Sequence, residues 1–293
     1  MPPVTVRVFA PAKVNLTLHV TGRRDDGYHL LDSLVVFTDV GDFLTVTLGC
    51  GEGLTVSGLF SQDVPTGAEN FIKRVAELYH FDTPLSFHLE KNLPVASGIG
   101  GGSADAGACL RALQRLAGDQ HAPTVQTLTS IGADLPMCAA SQPARIRGIG
   151  DRLDPVDDLP CLSLVLVNPG KPVATPAVFS ALEQRNNPPM EAFPDYGEDF
   201  IGWLADQRND LQNAAIAIEP AIKEVLTALA DCDGCRLARM SGSGATCFGV
   251  FDSDADAQKA AEALGLNAPQ WWVAHVRTDG HTQATPQLIR STT

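Results

Sequence analysis

Cations are scarce in this chain. Its 293 residues hold 21 Lys and Arg against 34 Asp and Glu, a formal net charge of −13. A nucleic acid or an anionic membrane surface demands a spread of cationic contacts that this balance does not supply, so neither is an expected partner. Long apolar runs are also missing: a stretch such as Leu162 to Val167 falls far short of the roughly 20 residues that span a bilayer. No basic amphipathic pattern marks a surface-bound helix. Cysteine is limited to seven scattered residues, an odd number, and no hydrophobic leader follows Met1-Pro2-Pro3. That suits a reducing compartment better than a disulfide framework, and a cytoplasmic location is expected. Cys232 and Cys235 form a C-x-x-C, yet no second Cys pair or His pair stands at zinc-finger spacing, so metal or redox use is not expected there. Repeats and low-complexity segments are absent, and nothing indicates a protein partner.

What is there suits a packed soluble protein. Hydrophobic residues make up 44% and charged residues 19% of the chain, enough for a sizeable core in one large or two ordinary domains. Val4 to Phe9 and Val14 to Val20 read as strand; Val14, Leu16, Leu18 and Val20 alternate with Lys13, Asn15, Thr17 and His19, which puts Lys13 and Asn15 on one face. Leu34 to Phe37, Phe43 to Leu48 and Leu85 to Leu89 are further strands, and Asn70 to Tyr79 is helical, the mixture of an α+β fold. Ser103 to Leu116 carries Ala106, Cys109, Leu110 and Leu113 at helical spacing, with Ser103 as N-cap. Composition turns to Asp, Pro and Leu near Asp151 to Pro160, so two domains are expected, 1–158 and 159–293. In the second, Arg185 to Glu198 reads as a long surface loop. Strands at Arg236 to Met240 and Thr246 to Phe251 flank a glycine-rich turn, followed by a helix from Ala255 to Leu264 and a strand from Trp271 to Val276.

The stretch Leu93 to Asp105, LPVASGIGGGSAD, leads Gly98, Gly100, Gly101 and Gly102 straight into a helix. Glycine lets backbone N–H groups approach a ligand, and a helix N-terminus adds unpaired donors and the positive dipole end, which suits a polyphosphate. No Gly-Lys-Ser/Thr follows, and Ser103 stands where G-x-G-x-x-G needs its last glycine, so neither familiar nucleotide motif is present. A flexible loop with a helix cap is the plainer alternative. Taken alone, Lys13 reads as a solvated strand lysine, and Asp134, in Ile131-Gly132-Ala133-Asp134-Leu135-Pro136, as a helix cap rather than a proton acceptor. Gly242 and Gly244 in MSGSGAT form a hairpin turn or a point of close ligand approach. Tyr28-His29 offers an aromatic ring and an imidazole for a nucleobase, or a turn exit packed into the core.

PAKVNLTLHV, GYH, LPVASGIGGGSAD, GADLP and MSGSGAT, in that order from about Phe9 to about Phe251, resemble the GHMP kinases. The stretches APAKVNLTLHVTGRRDDGYH and IGADLPMC are most similar to the branch whose substrate is a cytidine-diphospho sugar alcohol of the non-mevalonate isoprenoid route. The resemblance implies a ribosomal-S5-like N-terminal domain, a ferredoxin-like C-terminal domain, and phosphoryl transfer from ATP with Mg²⁺. It assigns Asp134 as base and Lys13 as the group that orients the hydroxyl and steadies charge. It assigns the ATP-phosphate loop to Pro94, Val95, Ala96, Ser97, Gly98, Ile99, Gly100, Gly101, Gly102, Ser103 and Ala104, with Asn70 near the adenine. Asn15, Tyr28 and His29 match cytidine-contacting positions, and Thr175 and Phe179 a threonine and an aromatic that close the cytosine pocket. Two positions depart from the usual form: Ala104 stands where a second serine often follows, and Asp151 ends a GIGD where glutamate is frequent. The alternatives are another GHMP small-molecule kinase, or a non-catalytic sensor on the same scaffold.

Overall fold

In the computed structural model, which describes residues 3–118, 122–194 and 199–289, one long strand organises the first half of the chain. β1 (Val4–Asn15) and β3 (His29–Leu48) run antiparallel, from Val4 opposite Leu48 to Asn15 opposite Val35. β2 (His19–Arg23) and β6 (Ala144–Gly148) pair with the first part of β3, and β5 (Leu85–Glu90) with its last part. β4 (Gly53–Ser57) lies parallel to β5, and β7 (Arg152–Pro155) pairs with β6. β12 (Gln287–Ile289), from the far end of the chain, closes the edge against β1.

Two of the expected strands, Leu34 to Phe37 and Phe43 to Leu48, are thus one. Gly41 between them is no turn; a Cβ there would overlap the Ala10 carbonyl oxygen, so glycine is what lets β1 and β3 pass this close. The strand expected over Val14 to Val20 is instead divided, because β1 ends at Asn15 and β2 begins at His19.

The second sheet is antiparallel in the order β11 (Trp272–Arg277), β8 (Ser163–Asn168), β10 (Cys247–Phe251), β9 (Cys235–Met240). Its Val165, Val167 and Cys247 pack under α8 (Ala221–Ala230) and α9 (Asp254–Asn267) through Val225, Leu229, Ala257 and Leu264. The other face meets the first sheet directly, Leu164, Leu166, Phe248 and Val250 against Val14, Leu16, Leu34 and Val36. The opposite face of β1 and β3, with Val8, Phe37 and Val46, holds α2 (Gly101–Ala117) through Ala104, Ala108 and Leu113. Full burial of each Val, Leu or Phe contributes ~1.5–3 kcal/mol, so β1 and β3 are clamped from both sides.

Shorter helices complete the chain: α1 (Phe71–Ala76), α3 (Val125–Ile131), α4 (Leu135–Ala140), α5 (Thr175–Ser180), α6 (Phe200–Asp206) and α7 (Gln212–Ile218). Part of the long loop expected over Arg185 to Glu198 lies outside the described residues. The described part has no helix or strand but is anchored: the Met190 N–H donates to Asp32 Oδ2 at 3.0 Å and its carbonyl accepts from Arg145 at 2.7 Å. Among the described residues no helix is long and apolar enough to cross a membrane, and all seven cysteines are free thiols.

Candidate active site

The site begins at an irregularity in β1. Pairing with β3 shifts register between Pro11 and Lys13, and the Lys13 N–H donates to the Ile99 carbonyl at 3.0 Å. Lys13 is not the solvated lysine its strand position suggests. Only 4% exposed, it donates from Nζ to Asn15 Oδ1 at 2.7 Å and to Asp134 Oδ2 at 3.0 Å. Asn15 is itself oriented, because its Nδ2 donates to Ser33 Oγ at 2.8 Å; the amide oxygen is thereby turned toward the ammonium.

Asp134 does occupy the N-cap position of α4, but its side chain makes no cap bond. The buried Lys13 ammonium, within ion-pair reach, is a stronger partner than a backbone N–H. Two residues of α2 fix where α4 lies. A Cβ on Gly107 would stand 2.5 Å from the Cys138 carbonyl oxygen, so only glycine permits the contact. Arg111 donates to the carbonyls of Cys138 (2.7 Å) and Ala139 (3.2 Å) at the C-terminal end of α4, and also to Ser141, Phe9 and Ala284. A cation at a helix C-terminus suits the dipole, although burial pushes the guanidinium down to about 10.

The glycine loop is pinned against the turn between β9 and β10. A Cβ on Gly98, whose φ is +80°, would lie 2.7 Å from the carbonyl oxygens of both Gly244 and Ser241. Ser241 Oγ donates to the Gly98 carbonyl at 3.2 Å and accepts from the Asn15 N–H at 3.1 Å; the Thr246 N–H donates to the Ser97 carbonyl at 3.0 Å. The turn between β9 and β10 expected from sequence is present, and its close backbone approach is to the Gly98 loop. α2 starts at Gly101 with Gly100 (φ +67°) as N-cap, so Ser103 sits in the first turn and does not cap. A left-handed glycine can open the helix earlier than a serine cap would. The first intrahelical bond from this end runs from Ala104 N–H to the Gly100 carbonyl at 2.8 Å, which leaves the N–H groups of Gly101, Gly102 and Ser103 for a ligand.

Beneath this turn lies a buried cluster that sequence reading missed. Lys91 Nζ donates to Asp42 Oδ2 at 2.6 Å and Asp105 Oδ2 at 2.7 Å, and a Cβ on Gly101 would be 3.0 Å from that nitrogen. Burial pushes the Asp105 carboxyl well above the usual carboxylate range.

Lys13, Asn15 and Asp134 open onto one cavity of about 1080 Å³, together with Ala96, Ser97, Gly98, Gly100, Gly101, Gly102 and Ser103 of the glycine loop. The same cavity reaches Tyr28, His29, Thr175 and Phe179. At that far end the His29 ring stacks on Phe179, with centroids 4.8 Å apart and planes 25° from parallel. Thr175 and Ser243 share a hydroxyl hydrogen bond at 2.7 Å. Tyr28 is not packed into the core but is 60% exposed. Burial, then the charges of Arg23 and Arg185, hold the His29 imidazole below its ordinary range, and its Nε2 is buried without a hydrogen-bond partner.

Five of the expected residues do not line the cavity: Asn70, Pro94, Val95, Ile99 and Ala104. The Asn70 amide is engaged at the start of α1, accepting from the Ile72 N–H at 2.8 Å and donating to the Pro65 carbonyl at 2.7 Å; its neighbour Phe71 lines the cavity instead. Ser33 and Ser243 were also missed, since isolated serines carry no spacing signal. Among the described residues no group of three or more His, Cys, Asp or Glu is arranged to hold a metal ion.

Residues 70–150 match the GHMP kinases N terminal domain and residues 197–270 the GHMP kinases C terminal domain. The chain is 50% identical over 294 residues to a 4-diphosphocytidyl-2-C-methyl-D-erythritol kinase of Roseobacter denitrificans, covering 98% of each chain. It is 53% identical to the protein of the same name from Dinoroseobacter shibae, covering 91% of this chain and 92% of that one. A crystal structure of 4-(cytidine 5'-diphospho)-2C-methyl-D-erythritol kinase superimposes with a TM-score of 0.76 at 33% identity, over 94% of this chain and 100% of that one. A homoserine kinase from Cytophaga hutchinsonii shares the fold, with a TM-score of 0.65 at 21% identity over 97% of each chain. With its two-domain α+β fold, the chain belongs to the 4-diphosphocytidyl-2-C-methyl-D-erythritol kinase family of the GHMP kinases.

Proposed function

We propose that this protein transfers the γ-phosphoryl group of ATP to the 2-hydroxyl of 4-diphosphocytidyl-2-C-methyl-D-erythritol, a step of non-mevalonate isoprenoid precursor synthesis. The observation that carries the reading is the Lys13–Asp134 pair, 3.0 Å apart, at the end of a cavity that also holds the glycine turn and the His29–Phe179 stack.

The transition state of phosphoryl transfer is loose, so positioning and charge stabilisation do most of the work. The N–H groups of Gly101, Gly102 and Ser103 hold phosphate oxygens at the positive end of α2. Lys13, fixed by Asn15, orients the acceptor hydroxyl and offsets charge on the transferred group. Asp134 Oδ2 accepts the hydroxyl proton as the new O–P bond forms. Ser103 and Asp134 offer side-chain oxygens that would hold Mg²⁺ arriving with the nucleotide, and the ion would supply charge neutralisation for the phosphates. At the other end, the neutral His29 imidazole can donate from one nitrogen and accept at the other along a pyrimidine edge, beside Tyr28 and Phe179, with Thr175 near the pocket rim. We assign residues 1–158 and 159–293 to the two domains, and place the protein in the cytoplasm, where its free thiols stay reduced.

ADP release with Mg·ATP and the cytidylyl substrate, alongside mevalonate, homoserine and galactose, tests the proposal. Turnover with the cytidylyl alcohol alone is the expected result. Turnover with another acceptor keeps the kinase and discards this substrate, and none with any acceptor favours a sensor.

A further inference from the structure

The cavity wall carries two arginines that form no ion pair among the described residues, although Asp26 lines the same cavity. Arg23 is the last residue of β2, and Arg185 follows α5; both line the cavity. Among the described residues neither forms an ion pair, whereas the adjacent Arg24 is paired with Asp26 at 2.7 Å, and Lys13 with Asp134. Backbone carbonyls hold part of each guanidinium: Arg23 Nε donates to Gly27 at 3.2 Å, and Arg185 donates from Nε to Leu182 at 3.2 Å and from Nη2 to Ser180 at 3.4 Å. In a chain with a surplus of 13 negative charges, carboxylates to neutralise two surface arginines are plentiful. Both guanidinium groups nevertheless act on the same imidazole, His29, one from each domain as assigned above.

We propose that Arg23 and Arg185 clamp the diphosphate of the cytidylyl substrate. This rests on the placement of cytosine at Tyr28, His29 and Phe179. In a diphosphocytidyl alcohol the diphosphate lies between the base and the alcohol. A ligand with its base at the His29–Phe179 stack therefore carries its diphosphate in the cavity that Arg23 and Arg185 line beside His29. A guanidinium offers a planar set of donors that matches phosphate oxygens. The clamp makes the diphosphate a specificity element: an acceptor that lacks it leaves two cations unneutralised. It also joins the domains through the ligand, because Arg23 and Arg185 come from different halves of the chain.

Calorimetric titration of the full-length protein with cytidine, CMP and CDP, for wild type, Arg23→Gln and Arg185→Gln, tests this. The wild type should bind CDP more tightly than cytidine. Each glutamine variant should lose roughly tenfold in CDP affinity, the scale of one charge-assisted contact, with cytidine affinity and KM for ATP little changed. Arg185→Lys, which keeps the charge, should recover part of the loss, and added salt should weaken CDP binding to the wild type more than to the double glutamine variant. Equal losses for cytidine and CDP, or a rise in KM for ATP instead, would overturn the clamp while leaving the cytosine pocket standing. If wild type binds cytidine and CDP equally, the clamp falls; if it binds neither, the cytosine placement falls and the clamp with it.

Discussion

The two ends of the cavity are built differently. At the reaction end the working groups are fixed several times over: Lys13 is 4% exposed and bonded to Asn15 and to the half-buried Asp134, and the glycine turn is pinned by Ser241 and Thr246. At the cytidine end Tyr28 is 60% exposed, and His29 meets Phe179 through a ring stack rather than a hydrogen bond. A loose transition state tolerates little misplacement, whereas a base pocket can adjust as its ligand enters. Rigidity is thus concentrated where chemistry occurs, and the other end is left to recognise.

The sharpest way to test that division is to remove a reacting group without disturbing the scaffold. Asp134→Asn should lower kcat by ~10²–10⁴, the usual cost of losing a general base, with little change in melting temperature, because the amide oxygen still accepts from the buried Lys13 ammonium and the side chain caps nothing. Near-wild-type turnover in steady-state assays would end its assignment as base. Next in size is Gly98→Ala. An alanine at φ +80° is strained, and its Cβ would press on the Ser241 and Gly244 carbonyls; strain of this kind costs ~1–3 kcal/mol. Calorimetry should show a lower melting temperature and kinetics a raised KM for ATP. A change in neither would mean the two glycine turns move apart freely.

These effects differ in how far they were legible beforehand. The glycine turn could be read because its requirements are local: positive φ and an uncapped helix start both leave glycines adjacent in sequence. The Lys13–Asp134 pair spans 121 positions, and no periodicity links them; alone, each had a plainer reading as solvated lysine or helix cap, and the packing that buries Lys13 against Asp134 overturned both. Resemblance supplied the association that spacing could not. Gly41 broke the expected pattern of β3 because a close strand crossing and a turn ask for the same residue. Lys91, Arg111 and Asp105 went unread because isolated charges look solvent-facing until the fold buries them. The β12 pairing with β1 rests on only three residues from the far end of the chain, too few for a pattern.

At the recognition end, His29→Ala should raise KM for the cytidylyl substrate by roughly tenfold, the loss of one or two hydrogen bonds, while KM for ATP stays near its wild-type value. Equal rises in both would mean that His29 supports the whole cavity rather than one ligand, and the contrast between the two ends would fail.

The smallest expected effect is on pH dependence, and it separates the ends most finely. Burial, with Arg23 and Arg185 beside it, lowers the His29 pKa from 6.5, so the folded protein binds that proton less readily than the unfolded chain. The corresponding stability is present above 6.5 and is lost as pH falls through that value toward the lowered folded pKa. The same protonation removes the acceptor nitrogen from the imidazole. KM for the cytidylyl substrate should therefore rise as the assay pH falls through the lowered folded pKa of His29, with KM for ATP following a different profile, and His29→Gln should flatten the rise because an amide does not titrate in this range. A cytidylyl KM profile that is unchanged in His29→Gln would assign the titration to another group and leave His29 as a stacking surface for Phe179 alone.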